Sequence, residues 1–185
     1  TSASDDSNAQ VLISGLDGSW NAQTETLNLN GTANVTTAKS WLRVNSFLMT
    51  KPGTSQNTNI GTIVMKNAAN VAMMYPSTGR MQNGWYSIPN GHSMYVTNIN
   101  IFSGQTKTGA TPTWFYYRVQ NRNNITGMEY TVLTTSWQQE YKVTRTNPVR
   151  YTEKSDIRWQ IKSSDSGPYT VGVILEALLI PDNLP

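Results

Sequence analysis

His92 is the one histidine of the chain, and it follows a Pro-Asn-Gly turn inside "YSIPNGHSMYVTNINIFSG", residues 86–104. No other side chain titrates near neutral pH without help from its surroundings. A Ser-His-Asp or Cys-His arrangement would have to use it. The chain has no cysteine, and no G-x-S-x-G elbow presents a serine. Metal binding would fall to oxygen ligands, and the carboxylates never form a D-x-D-x-D-G loop. Paired carboxylates of the glycosidase kind need only meet in space. Glu129, Glu140 and Glu176 are the acidic residues placed within strand-like patterns. Glu176 lies in an apolar run, where burial would disfavour its charge unless an Arg pairs with it or a subunit contact covers it. Asp5 and Asp6 are adjacent in a polar N-terminal segment and read as solvated. The residue chemistry therefore points away from an enzyme and predicts neither a cofactor nor a metal.

The elements that would position these residues read as strands and turns throughout. "ETLNLN", residues 25–30, alternates Leu27 and Leu29 against Thr26 and Asn28. "DIRWQIK", residues 156–162, puts Ile157, Trp159 and Ile161 on one side and Arg158, Gln160 and Lys162 on the other. "WLRVNSFLM", residues 41–49, and "TWFYYRVQN", residues 113–121, are longer and rich in strand-forming aromatics. Asp17-Gly18, Asn30-Gly31, Asn83-Gly84 and Asn90-Gly91 mark tight turns, because Asn and Gly tolerate positive φ. Short strands punctuated in this way predict an all-β fold, a jelly-roll-like or related antiparallel β-sandwich with little or no helix.

Within residues 92–104 the apolar parity changes. Met94 and Val96 share one face and Ile99 and Ile101 the other, so the pattern flips near Thr97 and Asn98. A β-bulge or burial on both faces accounts for it. The run "YTVGVILEALLIP", residues 169–181, is apolar on both parities apart from Glu176 and reads as a central strand covered on both faces. Residues 50–62, rich in Gly, Pro and Asn, read as a long exposed loop. Residues 71–85 carry Met73, Met74 and Met81 around a Pro and two glycines, and with Tyr75 and Trp85 they form the candidate contact surface. Core filling by the methionines is the competing reading.

At 185 residues the chain is long enough for a real core and reads as one domain over 11–185, preceded by a polar tail or arm over 1–10. A hydrophobic fraction of 37% and a charged fraction of 14% leave much neutral polar surface, so the tryptophans and tyrosines must carry much of the packing. The net charge of +3 is spread out, which disfavours nucleic acid as a partner. No stretch approaches a membrane span, so the chain is expected to be soluble. The missing initiator methionine fits a processed chain or a piece of a longer one. Sequons at Asn30, Asn34 and Asn124 arise readily from an Asn- and Thr-rich composition.

Three stretches taken in order carry a resemblance. The first, residues 11–49, holds Gly15-Leu16-Asp17, Thr24-Glu25-Thr26, Leu29-Asn30-Gly31-Thr32 and Leu42-Arg43-Val44. The second, residues 86–104, holds "IPNGHSMYVT", residues 88–97, and the third, residues 151–180, holds Asp156-Ile157 followed by Ser163-Ser164. Together, over residues 11–180, they resemble a family of virion-associated structural proteins of tailed bacteriophages. Asn90 departs from the small residue expected before Gly91, and the Met-rich 71–85 segment departs as well. The resemblance implies a β-rich, non-enzymatic virion subunit, most simply a capsid decoration or cement protein. Its implied partners are the major capsid protein or other virion proteins, and it is expected to form a homo-oligomer, with a trimer favoured. It carries no catalytic residues over. The alternatives are a receptor- or glycan-binding module of a tail fibre or spike, and a β-sandwich glycoside hydrolase.

Overall fold

The computed structural model describes residues 1–53, 58–67, 70–81, 84–104, 115–137, 140–164 and 170–183. Its regular structure is almost entirely antiparallel β-sheet, with one short 3-10 turn at Ser4–Asp6. The all-β, sandwich-like fold expected from the strand and turn pattern is what forms. The chain groups into two compact units, residues 1–83 and 84–185, each with its own apolar core. Their junction at Asn83-Gly84 carries only a turn dipeptide in the sequence, and Asn83 lies outside the described residues.

In the first unit, strands β1 (Gln10–Leu16), β2 (Ala22–Asn28) and β3 (Arg43–Lys51) form a sheet in the order β2-β1-β3, and β4 (Ile63–Lys66) pairs with β5 (Asn70–Met74). Alternation along β1 sends Val11 and Ile13 inward, where they meet Val44, Phe47, Ile63, Ala72 and Met74. Each of these side chains larger than alanine contributes about 1.5–3 kcal/mol on burial, set against the entropy of ordering the chain.

The N-terminal segment is held in this unit rather than free. Asp6 is 1% exposed, and its carboxylate accepts from the Ile60 and Gly61 amides at 3.0 Å each and from the Thr1 hydroxyl at 2.5 Å. The Ser2 amide donates to the Thr62 carbonyl. Asp6 is therefore not solvated as its polar neighbours suggest, because three donors replace its hydration. Of residues 50–62, expected as an exposed loop, 54–57 lie outside the described residues, and the rest are only partly exposed. Asn59 is buried; its amide donates to the Gly61 and Tyr75 carbonyls, and its side-chain oxygen accepts from Gly79.

The second unit stacks two sheets. One has the order β10-β7-β12, from β10 (Glu140–Tyr151), β7 (His92–Gly104) and β12 (Thr170–Pro181). The other has the order β6-β11-β8-β9, from β6 (Trp85–Ser87), β11 (Ser155–Ser163), β8 (Phe115–Asn123) and β9 (Glu129–Trp137). Ile88, Met94, Val96, Ile99, Ile101, Tyr117, Val119, Tyr151 and Ile157 fill the space between them. β11 alternates as its sequence requires, Ile157, Trp159 and Ile161 inward and Arg158, Gln160 and Lys162 outward.

Of the two explanations for the parity change in β7, the bulge is the one realised. Glu176 of β12 pairs with Asn98 and Ala177 with Val96, so Thr97 has no partner and the facing shifts by one residue. Met94, Val96, Ile99 and Ile101 all stay buried on the core face as a result. An in-register strand would have exposed two of them.

Candidate assembly edge

Of the residues singled out at 71–85, the three methionines do not form an open surface. Met74 is fully buried in the core of the first unit, and Met81 packs against that core, its amide donating to the Phe47 carbonyl at 2.7 Å. Met73 is half-buried on β5 opposite Val64. Only Tyr75, 55% exposed, and Trp85, 39% exposed, are open, and they belong to different units. Pairing of β5 with β4 turns Met74 inward, so for the methionines core filling is the reading that holds.

The titratable residues are equally scattered. His92 opens β7 beyond Gly91, whose φ of +68° closes the turn, and its Nδ1–H donates to the Asn90 carbonyl at 2.9 Å. Glu129 is exposed on β9 and accepts from Gln120 at 3.2 Å; Glu140 is exposed at the start of β10. Glu176 is exposed on β12, which corrects the expectation of a buried carboxylate. Among the described residues, no group of three His, Asp or Glu side chains could hold a metal. Asn124 is committed to structure, its amide donating to the Lys154 carbonyl and to Asp156. A cavity of about 310 Å³ in the first unit is lined by Leu27, Leu29, Phe47, Ile63, Asn34 and Thr36 among others, and Lys66 is its one charged side chain.

β12 presents the largest departure from expectation. It is an edge strand, bonded to β7 on one side and to no described strand on the other. Val171 and Leu175 pack on the core, while Val173, Ile174, Leu178 and Leu179 remain between 38% and 57% exposed. Among the described residues the strand is thus neither central nor covered on both faces. Phe102 adds to the patch: its ring lies over Gly172, where a Cβ would come within 2.2 Å of Cζ. Glycine at 172 is what lets that ring lie flat on the strand.

Among the described residues, two of the three other edges of this unit are guarded. β6 is three residues long. On β10, residues 145–148 stand against Thr97 alone, and Pro148 among them offers no N–H. Short strands, bulges and proline are the usual protections against edge pairing. β12, twelve residues long, lacks all of these until its last residue, Pro181, and Glu176 is its one charge. Its end is firmly placed. Asp182 accepts from Ser93 at 2.6 Å, lies 3.5 Å from Arg150, and donates its amide to the Gly91 carbonyl.

Compared with family models, with curated proteins and with solved structures, the chain matches none. The open edge of β12 therefore rests on the geometry alone. The expected strand over residues 169–181 forms at Thr170–Pro181, residue 169 lying outside the described residues, but not in a central place, since a run apolar on both parities looks the same at an edge as in the middle of a sheet.

Proposed function

We propose that the chain is a non-enzymatic structural subunit of a bacteriophage particle, acting as a capsid decoration or cement protein. One observation carries the reading: a long, placed, apolar edge strand, β12, lies open, in a fold where no three His, Asp or Glu side chains among the described residues could hold a metal. The ordered resemblance of residues 11–180 to virion-associated proteins supplies the setting.

Such a subunit works by covering apolar surface against neighbours and by spreading hydrogen bonds over a wide contact, roughly one per 100–200 Å². A Thr-, Asn- and Gln-rich exterior provides those bonds without strong charge. Partners in this reading are other copies and the major capsid protein, and the place of action is the virion.

Gold-labelled antibody against the chain, applied to purified particles, tests the reading by electron microscopy. Label over the capsid lattice is expected. Label confined to fibre tips would support the receptor-binding alternative instead, and unlabelled particles would remove the virion role.

A further inference from the structure

We infer that β12 pairs antiparallel with β12 of a second copy about a two-fold axis at Glu176, joining two three-stranded sheets into one of six strands. This rests on the proposed assembly role and names the partner of the same edge.

The exposed apolar residues of the strand are Val173, Ile174, Leu178 and Leu179. They are placed symmetrically about position 176. An antiparallel two-fold pairing centred there sets Val173 against Leu179 of the second copy, Ile174 against Leu178, Leu175 against Ala177 and Gly172 against Ile180. Every open apolar position meets another, as an isologous contact requires. A partner must also be apolar on both faces of its strand to cover both sides of this one, and β12 is such a strand. The opposite edge of the sheet, with its inserted residues 145–148, cannot accept a straight strand in the same way.

The same register sets Glu176 against Glu176 of the second copy. Like charges directly opposite destabilise a strand pair. The nearest cross-strand neighbours on β7, Thr97 and Asn98, are neutral. Glu176 therefore keeps the pairing reversible, and salt strengthens it by screening. A two-fold contact also gives copies in pairs, so the threefold assembly suggested by the resemblance would need a different surface.

Sedimentation of the purified chain over a hundredfold range of concentration tests this. A monomer–dimer equilibrium is expected, tightened by salt and tightened about threefold by Glu176→Gln. Ile174→Lys, at an exposed position, should weaken it more than tenfold with an unchanged melting temperature, and Thr146→Lys on β10 should leave it unchanged. A monomer at all concentrations, a trimer, a Glu176→Gln dimer no tighter than the parent, or loss of pairing by Thr146→Lys would each overturn the inference. Particle incorporation is scored separately. Wild-type chain that is monomeric yet on particles removes the pairing and keeps the virion role; chain that pairs in solution yet is missing from particles does the reverse.

Discussion

The Thr97 hydroxyl donates to the Glu176 carbonyl at 3.2 Å, at the point where β7 carries one residue more than β12. That bond sits on the bulge which keeps four apolar side chains of β7 in the core. It also marks Glu176 as the place where the sheet changes register, on the strand whose other side is open.

Deleting Thr97 should destabilise the second unit far less than deleting Tyr95. Without Thr97, the extra residue of β7, the strand runs in even register with Met94, Val96, Ile99 and Ile101 still on one face, and one exposed hydrogen bond is lost, about 0.5–1 kcal/mol. Without Tyr95 the alternation breaks and Met94 turns outward, at about 1.5–3 kcal/mol for a large apolar group. Urea denaturation of both variants measures the difference. Equal effects would mean that the bulge does not set the facing of β7.

Gly172→Ala should be costly only while Phe102 is present. The new Cβ meets the Phe102 ring, which must swing away from the strand. In a Phe102→Ala background the same change should be close to neutral, giving a coupling of roughly 1 kcal/mol in a double-mutant cycle. Additive effects would show that the ring does not lie over Gly172 in solution.

Asp6→Ala should loosen the N-terminal segment and cost about 1–3 kcal/mol, because the Ile60 and Gly61 amides lose their acceptor. Amide hydrogen exchange reports it directly. Those two amides should exchange faster in the variant while amides of the second unit are unchanged. Unchanged protection at Ile60 and Gly61 would contradict the buried carboxylate.

Alkaline stability should depend on Tyr117. Burial pushes its phenol above the ordinary value of 10.0, with the nearby Tyr151 and Tyr141 adding to the rise, and burial raises Tyr86 as well. A folded-state value above the unfolded one means that the unfolded chain loses its proton first. The contribution is therefore fully present below about pH 10 and is lost as pH rises above it, at up to about 1.4 kcal/mol per pH unit for each group. Melting temperatures above pH 10 should fall less steeply in Tyr117→Phe than in the parent. Parallel slopes would count against the buried phenol.

How much of this could be read in advance differs from strand to strand, for physical reasons. A bulge leaves a trace in the residues, because an apolar face that changes parity must be rescued by an extra residue, and Met94, Val96, Ile99 and Ile101 display that change. Half-buried strands such as β11 and the turn at Asn90-Gly91 were legible in the same way. The edge position of β12 was not, since Val173, Ile174, Leu178 and Leu179 write one pattern for a central strand and for an exposed one. Met74 was ambiguous because methionine suits cores and contact surfaces alike. The burial of Asp6 depends on amides more than fifty residues away, which no local pattern announces.

The central claim is that β12 is a working contact on the particle, and amide hydrogen exchange across residues 170–181 tests it most directly. Exchange is followed in the free, dilute chain and in the chain assembled on virions. The account predicts that the β12 amides facing away from β7 exchange readily in the free chain and become protected on the particle, while β10 amides at 145–148 do not change. Equal exchange along β12 in the two states would contradict it.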